Sequence, residues 1–261
     1  MRIIQLSDIH IGGEYDGKFN CRHTFGKTLE AIEAKLNPLN RKGSDSRGTV
    51  TPTFIVVTGD VYDGYATVEQ YKEIDSLIRS KVSGVNEIIY MPGNHDNAKM
   101  MGEAFGFDPD EVGLFRTDEA NLMVIPTHSG SVDVDKLMAE IVPGLATLDR
   151  RNDVPLLVFS HFPIGNVQHR FMHDIGGALT NGDKLAQCLQ LLGVKDTFCG
   201  HFHAAGTTVL NNDYRIHVAP ATQCQIDPWS KELVTVADYP GFSDIWVDRT
   251  GVTVEYNFVE M

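Results

Sequence analysis

The chain has 261 residues, 42% hydrophobic and 22% charged, which suits one large domain or two small ones and excludes extended disorder. Its formal net charge of −13 argues against stable nucleic-acid binding or attachment to an anionic membrane surface, since such binders are normally basic. No run approaches the ~20 apolar residues of a membrane span, and the first ten residues, interrupted by Asp8 and His10, do not form a signal peptide. Cys21, Cys188, Cys199 and Cys224 are scattered without a CxxC pair, so they read as reduced, buried thiols of a cytoplasmic protein.

Apolar runs alternate with amphipathic stretches. A first buried strand is predicted over 3–6. Phe25, Leu29, Ile32 and Leu36 recur at helical spacing, so 24–36 is predicted as a helix ending before Pro38. The polar, Gly- and Ser-rich stretch 40–51 reads as an exposed loop. A strand at 54–57 leads to a helix over 68–82 and a third strand at 87–91. Further strands are predicted at 122–125 and 156–159, with a helix over 134–148 between them. A helix over 184–192 precedes a short strand at 197–199. From residue 207 the texture changes. Segments 207–210 and 215–218 flank Asn211-Asn212-Asp213, and 244–247 and 252–258 flank Arg249-Thr250-Gly251, which are two hairpin signals. No repeat or linker divides the chain. The reading is one α/β domain over 1–261 whose part from about 207 is mostly antiparallel.

Five short polar motifs each follow a predicted strand: Asp8-Ile9-His10, Gly59-Asp60, Gly93-Asn94-His95-Asp96, Ser160-His161 and Gly200-His201-Phe202-His203. In open α/β sheets, ligands bind outside the carboxyl ends of the strands, so neighbouring strands would bring these motifs to one rim. Glycine before three of them suits a sharp turn or a close approach. Carboxylate, amide and imidazole donors favour Mn, Fe, Zn or Co over an all-oxygen calcium site, and the lack of cysteine excludes a thiolate zinc site. The set is too large for one tetrahedral ion. Two divalent ions roughly 3.5–4 Å apart, bridged by a shared carboxylate, are a known solution for in-line displacement at phosphorus.

In these blocks the sequence resembles the calcineurin-like metallophosphoesterases, whose pattern runs D-x-H, G-D, G-N-H-D/E, H and G-H-x-H. The resemblance extends from Arg2 to beyond Gln223. It implies a four-layer sandwich, with two mixed β-sheets packed face to face and flanked by helices. It also implies that Asp8, His10 and His203 hold a first metal and that Asn94, His161 and His201 hold a second. Asp60 would bridge them. By the same resemblance, His95 is no ligand but faces the substrate phosphate beside Asn94, and Asp96 orients His95 or its loop, so that His95 and Asp96 are the catalytic candidates. A closer similarity is to the class III cyclic nucleotide phosphodiesterases and the bacterial glycerophosphodiesterases. It rests on the lead-in from Phe19 through Ile32, on Ser160-His161-Phe162-Pro163-Ile164-Gly165, where Ser160 replaces a usual histidine, and on Ala219-Pro220-Ala221-Thr222-Gln223. The arginines that protein phosphatases carry beside the metal blocks have no equivalent in this sequence.

His23, just before the first helix, could contact substrate at the lip of the site. His128, His169, His173 and His217 match no block and read as surface or hydrogen-bonded residues. The segment 162–179 leaves directly from His161 and is expected to form one wall of the pocket. Trp229, Tyr239 and Phe242 read as core cover rather than subunit contacts.

The expectation is a binuclear metal-dependent phosphodiesterase acting on a small phosphodiester, a 3′,5′-cyclic nucleotide, by in-line attack of a metal-bound hydroxide with His95 as general acid. The alternatives are a glycerophosphodiester or broad-specificity phosphoesterase, and a metal-binding interaction scaffold without turnover. The intact Gly93-Asn94-His95-Asp96 block argues against the scaffold. Assembly into a homo-oligomer stays open at this level.

Overall fold

A computed structural model describes residues 1–12, 18–37, 52–147, 154–236, 239–248 and 251–261. The loop expected at 40–51 lies outside them, as do Leu148 and the turn residues Arg249 and Thr250. The elements in chain order are β1 (Arg2–Leu6), α1 (Cys21–Leu36), β2 (Thr53–Thr58), α2 (Val68–Lys81), β3 (Glu87–Met91), α3 (Ala98–Phe105), β4 (Gly113–Arg116), β5 (Asn121–Val124) and α4 (Val134–Thr147). They continue with β6 (Leu156–Phe159), α5 (Arg170–Asp174), α6 (Gly182–Leu191), β7 (Asp196–Cys199), β8 (Gly206–Val209), β9 (Arg215–Val218), β10 (Gln225–Ile226), β11 (Thr235–Val236), β12 (Gly241–Asp248) and β13 (Gly251–Phe258).

Two mixed sheets result. One has the order β13-β12-β1-β2-β3, with β1, β2 and β3 parallel and β12 antiparallel to β1. The other has the order β4-β5-β6-β7-β9-β8, parallel from β5 to β9 and closed at both edges by antiparallel β4 and β8. From β8 on the strand pairs are antiparallel, except that β9 runs parallel to β7.

The central strands β1, β2, β5 and β6 read as apolar runs because both faces of each are largely buried, whereas the edge strands β4, β8 and β13 are half-exposed. Ile3 points between the sheets, where Val56, Ile89, Leu122, Leu157, Phe159 and Phe198 meet it. Ile4, one residue on, points to the other face, against Phe25, Leu29 and Ile32 of α1 and Tyr71, Ile74 and Ile78 of α2. Met123, Val158 and Cys199 likewise face Leu137 and Ile141 of α4 and Leu185 and Leu189 of α6. Period-two alternation thus builds helix, sheet, sheet and helix, with each fully buried Leu, Ile or Phe contributing about 1.5–3 kcal/mol.

α1 begins three residues earlier than its periodicity suggests. α3 escapes the periodic reading, though its brackets were in the sequence: Asn97 accepts from Met100 N at 3.3 Å, and Gly106 ends it at φ 76°. β10 and β11 have two residues each, too few for any period to show. Among the described residues, no helix is long and apolar enough to cross a membrane.

Candidate active site

Each of the five motifs leaves the carboxyl end of a parallel strand, three from β1, β2 and β3 and two from β6 and β7. Face-to-face packing brings the two groups to one rim. The loops are tied to each other: Asp8 N donates to Gly59 O (3.0 Å), His10 N to Asp60 O (2.9 Å) and Gly200 N to His161 O (3.0 Å). Asp8, His10, Asp60, His201 and His203 all hold φ between 50° and 66°. Such a left-handed backbone costs a non-glycine residue roughly 1–2 kcal/mol and persists where the surroundings enforce it, typically at functional sites.

Glycine at the motif heads permits close approach. A Cβ on Gly93 would strike Asp60 Oδ1, and one on Gly200 would strike Ser7 Oγ and the Asp8 carboxylate. Neither glycine needs a positive φ, so here its small size is what the site requires.

Two groups of donor atoms form, each within 4.8 Å: Asp8, His10 and His203 in one, Asp60, His161 and His201 in the other. His203 Nε2 lies 3.4 Å from Asp8 Oδ1 and 3.2 Å from His10 Nε2. His161 Nε2 lies 3.3 Å from Asp60 Oδ2 and 3.0 Å from Asn94 Oδ1. Asp60 Oδ2 is also 3.6 Å from His10 Nε2, so this carboxylate stands between the groups.

The donor set fits a pair of divalent cations. Three of the rings hold a backbone carbonyl on their far nitrogen: His203 Nδ1 to Cys224 O (3.1 Å), His161 Nδ1 to Thr58 O (2.8 Å) and His201 Nε2 to Gly177 O (2.9 Å). A carbonyl only accepts, so that nitrogen carries the proton, and in the neutral ring the other nitrogen keeps a lone pair for a metal. The electrostatics agree. Burial opposes charge on Asp8, but His203 outweighs it and holds the carboxyl down to about 2. Burial likewise opposes charge on His203 and His161, yet Asp8 and Asp60 raise these rings to about 10 and about 9. His10 and His201 are pulled down, chiefly by burial, to about 4 and about 3. The buried carboxylates thus favour positive charge at His203 and His161 while His10 and His201 stay neutral, and a metal ion competes with protons for the same lone pairs.

His95 is half-buried beside the first group. Its Nδ1 meets Asp63 Oδ1 at 2.6 Å, its backbone N–H donates to Asp60 Oδ1 (2.9 Å), and its ring lies edge-on to His10. His10, Asp63 and His95 also converge within 4.8 Å, and the short His95–Asp63 bond makes this grouping a dyad. Sequence reading overlooked Asp63, although it stands three residues after Asp60.

Asp96, expected to orient His95 or its loop, makes its contacts with the loops and not with the His95 ring. Its carboxylate accepts from Gly93 N (3.0 Å), Tyr62 N (3.0 Å), Val61 N (3.1 Å) and Tyr71 OH (3.0 Å), tying the loops after β2 and β3 together. Burial and the nearby Asp60 charge raise it to about 6. The partner of the His95 ring is Asp63.

A cavity of about 490 Å³ opens over His10, Asp60, Asn94, His95, His201 and His203. Phe162, Phe171, Met172, Ile175, Gly176 and Gly177 form one wall, so the expected segment does border it, and Ile226 and Leu233 complete the apolar side. His23 is exposed and absent from the lining. The remaining histidines have other partners: His128 Nε2 lies 3.5 Å from Asp110, His169 Nε2 3.1 Å from Phe202 O, His173 Nε2 2.7 Å from Val167 O and His217 Nε2 2.9 Å from Asp196. Phe242 is core, whereas Trp229 and Tyr239 are exposed.

Comparison with known proteins places this geometry. Residues 1–205 match the calcineurin-like phosphoesterase family. A probable cyclic nucleotide phosphodiesterase of Fibrobacter succinogenes is 28% identical over 236 residues, covering 87% of this chain and 82% of the relative. Another, of Colwellia psychrerythraea, is 23% identical over 250 residues, covering 91% and 87%. Among solved structures, a purple acid phosphatase from yellow lupin (Lupinus luteus) superposes with a TM-score of 0.68 at 13% identity, over 99% of this chain and 51% of that one. A dimetal phosphatase from Danio rerio gives 0.58 at 10% identity, over 97% and 98%. These two likenesses speak for the fold, and the match over 1–205 for the family. The chain belongs to the calcineurin-like phosphoesterase family, as a metal-dependent phosphoester hydrolase.

Proposed function

We propose that the protein is a binuclear metal-dependent phosphodiesterase whose substrates are 3′,5′-cyclic nucleotides. The observation that carries this reading is the joining of two Asp/His groups by Asp60 at the floor of a cavity whose described lining includes no Lys or Arg. A phosphomonoester dianion would bring a second charge that no cationic side chain meets, while a diester brings one. The two relatives named as probable cyclic nucleotide phosphodiesterases support the same class.

Asp8, His10 and His203 would hold one ion, Asn94, His161 and His201 the other, and Asp60 both. Bound there, two divalent transition metals (Mn, Fe, Zn or Co) supply Lewis acidity and lower the pKa of water. The chain's own residues do the rest. Asp63 orients the His95 ring through Nδ1, so that Nε2 can pass a proton to the leaving oxygen. Asp96 fixes the turn that carries Asn94 and His95. Residues 1–261 act as one domain, since β12 and β13 extend the sheet built on β1. Cys188, Cys199 and Cys224 as free thiols support a reducing, cytoplasmic setting.

The test is a metal-reconstituted panel comparing a cyclic nucleotide, a glycerophosphodiester, an aryl diester and a phosphomonoester, with elemental analysis alongside. Two ions per chain and the highest kcat/KM on the cyclic nucleotide are expected. A preference for the glycerophosphodiester would assign the alternative substrate, and a preference for the monoester or a lack of turnover would refute the diesterase reading.

A further inference from the structure

Hydrolysis of a phosphodiester uses the floor of the cavity and leaves its apolar side unexplained. That side comes from two separate places: Phe171, Met172 and Ile175 on and just after α5, and Ile226 and Leu233 at β10 and in the turn before β11. Ile175 is 60% exposed and Leu233 46%, although both border the cavity. Single exposed apolar side chains are ordinary. These two belong to the same lining as buried Met172 and Ile226, above a polar floor, which is the pattern of a pocket that receives the apolar part of a ligand.

Both sides are anchored to the candidate ligands. Gly177 N donates to Met172 O (2.7 Å) and Gly177 O accepts from His201 Nε2 (2.9 Å), so the α5 segment hangs on His201. Ile226 N donates to His203 O (2.7 Å), so β10 hangs on His203. Arg170 N donates to Pro228 O (2.8 Å), joining the two sides to each other. The apolar surface is therefore held in a fixed position relative to the phosphate floor.

We propose that Ile175 and Leu233 are opposing jaws of an apolar subsite that takes a flat ring, the base of a nucleotide or an aryl group, attached to the phosphodiester. The assignment rests on the phosphodiesterase reading and adds to it which residues select the substrate. A glycerol group presents hydroxyls and gains nothing from such jaws. A second phosphate finds no cationic side chain in the lining.

The experiment uses the full-length, metal-loaded protein and its Ile175→Ser, Leu233→Ser and double variants. The exposure of both residues spares the core, and melting temperature and metal content verify this. KM is measured for 3′,5′-cyclic AMP, an aryl diester and a glycerophosphodiester. Binding of a phosphorothioate analogue of cyclic AMP is measured by calorimetry. In the double variant the KM of both ring-bearing substrates and the analogue Kd should rise about 10-fold, the scale at which small apolar contacts discriminate, with kcat within about twofold. The glycerophosphodiester constants should not move. Unchanged KM for the ring-bearing substrates, or equal losses on all three, would overturn the subsite. If the unsubstituted protein hydrolysed no diester, the phosphodiesterase reading would fall, and the analogue Kd would still decide the jaws.

Discussion

At the floor of the cavity, five of the seven candidate ligands hold a left-handed backbone, and loops from five strands are cross-tied by hydrogen bonds and pressed together at glycines. On the wall, Phe171, Met172, Ile175, Ile226 and Leu233 have no such strain, and two of them lie open to solvent. The floor is over-determined because donor atoms must converge within ångströms, and the surrounding fold absorbs the cost. The wall needs only to be apolar and in the right place. Substitutions on the floor should therefore destroy chemistry, and substitutions on the wall should alter selection.

The largest effect is expected at the carboxylate between the two groups. Asp60→Ala removes the oxygen near His10 and His161 together with the acceptor of the His95 N–H. Both ions should be weakened at once, and kcat/KM should fall by at least about 10³-fold, beyond the 10–100-fold typical of losing an outer partner of a metal site. Elemental analysis and steady-state rates check this. Retention of two tightly bound ions would remove Asp60 from its bridging place.

Gly93→Ala probes the same floor without touching a donor atom. The added methyl meets the Asp60 carboxylate, so the turn or the carboxylate must shift. Metal affinity should drop about 10–100-fold, by displacement rather than deletion. Gly12→Ala is the control, since its Cβ would meet nothing within 4 Å, although its φ of 83° carries a modest strain. If the two variants bind metal alike, close approach is not what the glycine supplies.

His95→Ala tests the boundary between floor and substrate. A general acid is worth typically about 10²–10⁴-fold. Cyclic nucleotides, with poor leaving groups, should lose activity in that range. Activated aryl diesters should lose far less, with metal content intact. Equal losses on both would assign His95 to phosphate positioning, and loss of metal would make it a ligand or a ligand's support.

The same division governs how much could be read from the sequence. Ile3 and Ile4 signal a strand buried on both faces, and that signal is local. The five polar blocks are legible because Asp, Asn and His at strand ends are costly there without a purpose. Asp63 gave no such signal. It lies in a loop without periodicity, and its meaning comes from His95 approaching out of a different loop, a tertiary fact. Asp96 adjoins His95 in sequence, yet its carboxylate turns toward Gly93, Val61 and Tyr62. Ile226 lies in a two-residue strand and Leu233 between two such strands, too short to leave a pattern, so these two of the five apolar wall residues were invisible. His23 was near the site in sequence but lies on the exposed start of α1.

The smallest floor effect should come from Asp63→Asn, which separates orientation from proton transfer. The amide oxygen of asparagine can still accept from His95 Nδ1, so ring placement is largely kept while the negative charge is lost. A residue that acts only through another should cost less than that other, here about 10-fold against the larger loss of His95→Ala. The two losses should not add: with His95 already replaced by alanine, Asp63→Asn should change kcat little, because the ring it holds is gone. The loss from Asp63→Asn alone should also track the leaving group, being large for cyclic nucleotides and small for activated aryl diesters, which a merely structural carboxylate would not produce. Additive losses, or equal losses on both substrate types, would mean that Asp63 supports the loop after β2 independently of His95, and the 2.6 Å contact would then carry no catalytic meaning.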